Sequence, residues 1–296
     1  MDSLKESLEA LNAYKDKTRL LLLPFTLFVV IAAGMAFILK MIGPAFVILI
    51  LDMIFYFLVI HRMTKRYGFM VNEANLKYGF FKPLKNVSTK SKDGMDFDDF
   101  VNLSMFPIKN GKNTLLSRNS VFGEREDEQL EAHELTFHYV IADAKGKPSH
   151  QFVSGSLFMD SFKKTGFKGD YLLLRRDVLE TGAKTQFVSK NGYKAFALKD
   201  QTLTEGFDGY YHGEENFTAQ LEALCLKLGS QAKNLCAIRI MDGKAAIFLT
   251  RRFYAGSRYT TTEPTKEILS KNYFSERDEI FSFFKNLKLY EKENTL

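Results

Sequence analysis

Apolar positions are concentrated near the start of the 296-residue chain. From Leu20 to Leu39 twenty residues (LLLLPFTLFVVIAAGMAFIL) carry no charge, and from Met41 to Ile60 another twenty (MIGPAFVILILDMIFYFLVI) carry only Asp52. At about 1.5 Å per residue each run makes a helix of about 30 Å, the thickness of a bilayer's hydrocarbon core. Lys40 and the turn residues Gly43 and Pro44 mark the join. So short a connection links antiparallel neighbours, and residues 20–60 are expected to form a transmembrane hairpin with spans 20–39 and 41–60. A cleaved signal peptide fits poorly, because Glu6, Glu9 and Asp16 precede an apolar run that is too long, and another span follows.

The flanking pattern is helical. Ser3 and Glu6 have capping-box spacing, and Leu4, Leu8 and Leu11 share one face, which predicts a cytoplasmic amphipathic helix within residues 1–19. After the second run, Tyr67, Met70, Val71, Ala74, Tyr78 and Phe81 recur at three- and four-residue intervals until Pro83. The second span is therefore expected to continue into a juxtamembrane helix and linker over residues 61–92, with the domain boundary in Lys85–Gly94.

From residue 93 the pattern turns to alternation. HELTFHYVIA puts Leu135, Phe137, Tyr139 and Ile141 on one face, and HQFVSGSLFM returns as its hairpin partner. CAIRI and AAIFLT predict a second hairpin around Asp242 and Gly243, the pair that a two-residue turn demands. Glu214–Leu228 carries a helical stripe of Phe217, Leu221, Leu224 and Leu228 ending at Gly229, and Ser275 and Asp278 are placed to cap a helix bearing Ile280, Phe281, Phe284 and Leu287. Strand pairs and helices without regular strand-helix alternation predict an α+β fold: an N-terminal two-helix transmembrane hairpin, then a cytoplasmic mixed helix and antiparallel-sheet domain over 93–296.

Composition sharpens this picture. The mean hydropathy of -0.16 averages two populations, since 34 of the 41 residues from Leu20 to Ile60 are hydrophobic. Two Cys exclude a disulfide scaffold. A pI near 9.0 invites a nucleic-acid reading, but residues 1–66 hold eight Lys and Arg against five acids and the rest is nearly balanced at 33 against 30. That leaves no basic face for DNA, so nucleic acid is not an expected partner. Lys15, Lys17 and Arg19 flank the first run, Arg62, Lys65 and Arg66 flank the second, and the loop has Lys40 alone. This asymmetry predicts both termini in the cytoplasm, with the six flanking charges meeting anionic headgroups at about 1 kcal/mol each. The expected partners are thus the lipid bilayer and a protein, either another chain or a second copy.

Motifs for chemistry are sparse. HELTFH spaces His133 and His138 one residue too far for a zinc protease, and on a strand they face opposite sides. HGE at His212–Glu214 opens like a zinc deaminase signature but the PCxxC is missing. Serine-hydrolase elbow, phosphate loop and dinucleotide fingerprint are all lacking. EGFDGYYHG is read as a flexible turn before a helix, with a binding loop as the alternative. Asp93–Asp99 lacks calcium-loop spacing and is read as helix capping by Asp98 and Asp99. Cys225 is read as a small core residue rather than a nucleophile. No metal and no cofactor are expected.

Two polar groups remain. RRFYAGSRYT carries Arg251, Arg252 and Arg258 among aromatics and is read as a solvated strand end or a contact to anions or anionic lipid, with nucleic-acid stacking as the alternative. Asp52 is the expensive charge within the hairpin, expected opposite Ile31–Gly34 beside Ala32, Ala33, Gly34 and Ala36. It is read either as a proton or ion site, or as a neutral carboxyl hydrogen-bonded within the hairpin or across an oligomer interface.

Several stretches resemble DUF3137, a family of bacterial membrane proteins of unknown function with an N-terminal pair of spans. They are LKYGFFKPLKN (Leu76–Asn86), FVNLSMF (Phe100–Phe106), FVSGSLFMDSFKKTGFKGDYLLL (Phe152–Leu174) and IRIMDGKAAIFLT (Ile238–Thr250), while VFGEREDEQLEAHEL follows the family's glycine-containing stretch only loosely. The resemblance implies a membrane-anchored cytoplasmic domain and no assigned activity. The expected function is a protein-binding or signal-sensing module at the bacterial inner membrane. The alternative is an enzyme on a membrane-associated substrate, its site gathering His138, His212 and the Arg251 region.

Overall fold

The apolar runs are helical in the computed structural model, which describes residues 4–108, 115–126, 128–142, 148–164, 166–179, 181–253, 264–272 and 274–294. Helix α1 (Leu4–Phe37) carries the amphipathic segment into the first apolar run without a break, so the segments expected as 1–19 and 20–39 are a single element. The chain turns at Ile38–Met41, where Lys40 takes a φ of 54°. Helix α2 (Ile42–Phe55), a π-helical turn (Tyr56–Ile60), α3 (His61–Asn75) and a second π-helical turn (Leu76–Phe80) then follow as one continuous helix, Ile42–Phe80. Both helices are long and apolar enough to cross a membrane.

The pairs that join them step in opposite directions along the chain, as antiparallel helices require. Phe25 meets Tyr56 at 5.4 Å between ring centres, the Arg66 guanidinium lies 5.9 Å over the Tyr14 ring, and Ser7 Oγ is 3.0 Å from Tyr78 Oη. Ala32 and Ala45 are almost wholly buried, and their small side chains allow the helices to approach.

These helices form one unit, Met1–Lys82, which also takes in Ala255–Asn272 with the short helix α8 (Lys266–Ser270). The Asn75 side-chain amide holds this late segment, with the carbonyls of Ile268, Leu269 and Lys271 at 2.9, 3.2 and 3.0 Å. Gly79 permits the approach, because a Cβ there would stand 2.5 Å from the Lys271 carbonyl oxygen.

The second unit, Pro83–Tyr254 with Tyr273–Leu296, is built on one sheet. Its nine described strands are β1 (Lys85–Lys92), β2 (Leu115–Arg125), β3 (Glu128–Ala142), β4 (Pro148–Ser161), β5 (Tyr171–Arg175), β6 (Lys194–Phe196), β7 (Phe207–Tyr211), β8 (Leu235–Met241) and β9 (Lys244–Leu249). They lie in the order β1-β2-β3-β4-β9-β8-β5-β7-β6, every pair antiparallel. Both predicted hairpins are present. In the second, Gly243 adopts a φ of 69°, while Asp242 Oδ1 accepts the Gly166 and Phe167 amides at 3.1 and 3.3 Å.

Three expectations are corrected. Lys85–Lys92, placed with the linker, is the edge strand β1; its KNVSTKSK sequence is polar because one side of an edge strand faces solvent. EGFDGYYHG contains strand β7 instead of a flexible turn, and at Gly209 a Cβ would come within 2.8 Å of the Phe196 ring. The helix expected over Glu214–Leu228 is α7 (Ala219–Gln231), capped by Thr218, whose Oγ1 accepts the Leu221 amide at 3.2 Å, and it passes through Gly229.

Both faces of the sheet are covered. On one, α4 (Phe97–Asn102), the segment after it and α5 (Thr181–Lys190) enclose Phe100, Phe106, Leu135, Phe137, Leu172, Leu174, Phe187 and Phe248. On the other, Phe158 meets Phe274 at 5.5 Å and Phe167 meets Tyr290 of α9 (Arg277–Glu293) at 5.9 Å. Ile280, Phe284 and Leu287 are fully buried, which accounts for the predicted stripe on the last helix.

Candidate functional site

The site nearest the expected chemistry is Asp52 on α2. It is 5% exposed and lines a cavity of about 420 Å³ with Pro24, Phe28, Ile31, Ile48, Leu51 and Phe55. Its Oδ1 has no hydrogen-bond partner. The tight turn at residues 38–41 sets this register, bringing Asp52 opposite Pro24, Phe28 and Ile31 rather than Ile31–Gly34. Close approach falls at Ala32 and Ala45, and Gly34 faces open space. Pro24 lacks an amide hydrogen, so the Leu20 carbonyl loses its helical donor one turn from the same cavity. The arrangement presents a hydrogen-bonding group to an otherwise apolar space.

The hairpin surface itself is a recognition element. Among the described residues, 23 of the 27 exposed large apolar side chains lie between Leu20 and Leu58, far more contiguous apolar surface than water tolerates. The basic flanks bound it: Lys17 and Arg19 are exposed before the first run, Arg62, Lys65 and Arg66 after the second, and Lys15 is half-buried.

The arginine cluster divides. One Nη of Arg251 lies 2.9 Å from each Glu276 carboxylate oxygen and 3.2 Å from Ser275 Oγ, and the guanidinium stacks over Phe274 at 5.3 Å. Burial alone would push the Glu276 carboxyl up, but hydrogen bonds from Ser275 and the helix-start backbone, together with Arg251, hold it below the usual range. Arg251 is therefore committed to the start of α9. Arg252 is exposed and reaches Thr136 Oγ1 at 3.3 Å, while Arg258 lies outside the described residues.

The histidines do not converge on one active site. His138 is on β3 and His212 follows β7, with β4, β9, β8 and β5 between those strands, about 24 Å at the usual strand spacing. His212 Nδ1 instead lies 4.0 Å from Asp170 Oδ2. Asp170 also pairs with Arg239, a buried arginine that donates to the Leu103 and Tyr171 carbonyls and stacks over Tyr193. Burial pushes the Tyr193 phenol up to about 12, and its hydroxyl donates to the Ser104 carbonyl at 2.9 Å. This network fastens the Leu103–Ser104 segment onto the sheet.

Sequence reading missed a Ser-His-Glu chain. His133, expected to be exposed, is fully buried, with Nδ1 2.8 Å from Ser120 Oγ and Nε2 3.0 Å from Glu131 Oε2. A β-bulge between Arg118 and Val121, with Asn119 at a φ of 49°, brings Ser120 to His133. Spacing in sequence cannot reveal a pairing made by an irregular register. The order of groups matches a nucleophile with its base and orienter. Ser120 is nevertheless fully buried, and a Cβ on Gly94 would stand 1.8 Å from its Oγ. No acyl group can reach that oxygen, so the chain ties β2 to β3. Cys225 and Cys236 are buried as well, and burial pushes the Cys236 thiol up to about 12 and the Cys225 thiol higher still.

Fold and surface together define an α+β protein with a large antiparallel sheet and two helices suited to a membrane. No family model and no curated protein matches the chain. Among solved structures it is similar to the crystal structure of the mycobacterial trehalose monomycolate transport factor A, TtfA, with 8% identity and a TM-score of 0.37 over 73% of this chain and 94% of that one. Likeness at that level assigns neither fold nor function.

Proposed function

We propose that the chain is a two-pass protein of the bacterial inner membrane whose hairpin anchors the α+β unit on the cytoplasmic side, where it acts as a protein-binding or signal-sensing module. The observation that carries the reading is the exposed apolar surface from Leu20 to Leu58, bounded on both helices by basic residues. Burying such a surface in lipid removes it from water, and the excess of Lys and Arg outside the short Lys40 loop favours cytoplasmic termini. Membership of DUF3137 belongs to this proposal and rests on Leu76–Asn86, Phe100–Phe106, Phe152–Leu174 and Ile238–Thr250. The enzyme alternative loses its proposed site through the separation of His138 from His212.

Both native cysteines are buried, which makes a cysteine-accessibility experiment clean. In intact cells, a membrane-impermeant maleimide is expected to label Lys40→Cys, but to label Lys292→Cys only after the membrane is opened. Labelling of position 292 from outside would overturn the topology, and release of the chain from membranes by alkaline carbonate would overturn the anchor.

A further inference from the structure

The outer face of the β3-β4 hairpin carries a second pair of imidazoles that the membrane reading does not use. His138 pairs in register with Phe152, and Val140 pairs with His150, so His138 and His150 are diagonal neighbours projecting from the same face. Their ring centres are 5.7 Å apart with planes inclined at 42°. His150 is exposed and His138 half-buried, so both are open to solvent. Phe152, 71% exposed, lies 5.5 Å from the His138 ring and limits its rotation.

That spacing suits a shared metal ion. A metal about 2.0–2.1 Å from each coordinating nitrogen lies about 3.2 Å from each ring centre, so two imidazoles at a tetrahedral angle hold their centres about 5.2 Å apart. The observed pair is about 0.5 Å wider, within the reach of small side-chain torsions. Backbone pairing across the hairpin fixes both Cα positions before any metal arrives, which lowers the ordering cost of binding. Among the described residues no third His, Cys, Asp or Glu completes a cluster, so the remaining coordination positions are open to water or to an incoming donor.

We infer that His138 and His150 form a two-imidazole surface site for a late divalent transition metal of the zinc and copper class. Imidazole is a preferred ligand for these ions, and magnesium or calcium, which require oxygen donors, are excluded by the same chemistry. The site is independent of the membrane reading.

The test uses the full chain, purified without a histidine tag in detergent micelles, with zinc chloride or copper chloride competed by a chromophoric chelator. One ion per chain is expected to depend on this pair, with His138→Gln and His150→Gln each weakening it by about tenfold or more. His61→Gln and His212→Gln are expected to bind as the parent does. Binding should also weaken between about pH 7.5 and about pH 5.5, because protons compete for the ligating nitrogens. Unchanged affinity in both hairpin variants, or loss on His212→Gln instead, would overturn the site. Electron paramagnetic resonance of the copper complex guards against a misfolded variant, since the parent spectrum must show coupling to imidazole nitrogens and its absence sinks the assignment.

Discussion

At the scale of single residues, charges in this protein divide by whether a partner has been supplied. Glu276 is nearly buried yet ionised, because Ser275, the start of α9 and Arg251 all favour its charged form. Its lowered pKa contributes stability that is present above the unfolded-state value near 4.3 and is lost as pH falls through the folded-state value. Arg251→Gln is expected to lower stability at neutral pH by about 1 kcal/mol, a modest figure because Arg251 is 43% exposed. In denaturant titrations the difference from the parent should shrink below about pH 4. Asp52 is the opposite case, a carboxyl whose Oδ1 faces an apolar cavity without a hydrogen bond. Asp52→Leu should therefore favour insertion of the second helix by about 3 kcal/mol, measurable as a higher inserted fraction in a glycosylation-reporter assay. Reduced insertion of the Leu variant would show that the carboxyl has a partner in the membrane.

Elements were legible in the sequence where one periodicity prevailed. β3 and β4 alternate because one face meets the core and the other solvent, and the helix bearing Ile280, Phe284 and Leu287 has a single buried stripe. β5 gave no alternation, since Tyr171, Leu172, Leu173 and Leu174 are all fully buried between covered faces. β1 gave no hydrophobic signal, and the three residues of β6 are too few for a period. Long-range placements such as α8 beneath Asn75, or Ser120 against His133, depend on register and side-chain reach that no local pattern records. The close approach of β4 to β9 is another of these. A Cβ on Gly155 would stand 2.0 Å from the Leu249 carbonyl oxygen, so Gly155→Ala is expected to destabilise the sheet unit by about 2–3 kcal/mol, read as an earlier urea midpoint with unchanged secondary structure.

For the whole molecule, attachment and orientation are separate quantities. Attachment follows from some forty apolar positions, whereas orientation follows from a handful of charges at their ends. Neutralising Arg62, Lys65 and Arg66 to Gln is expected to leave the chain resistant to alkaline extraction while raising the fraction with inverted termini, as scored by maleimide labelling at position 292. Uniform orientation in that triple variant would mean that something other than flanking charge sets the topology.

The two π-helical turns of the long second helix carry a different consequence. Each accommodates one extra residue by widening a single turn, as in the bond from the Phe81 amide to the Leu76 carbonyl at 2.8 Å, without interrupting the helix. Deleting one residue from Tyr56–Ile60 would let that turn relax to ordinary pitch and swing everything beyond it by about 100° about the axis. The helix thus behaves like a shaft with two phase adjusters: a one-residue change in length there alters the direction in which Tyr67, Val71 and Asn75 point, while the rod itself survives.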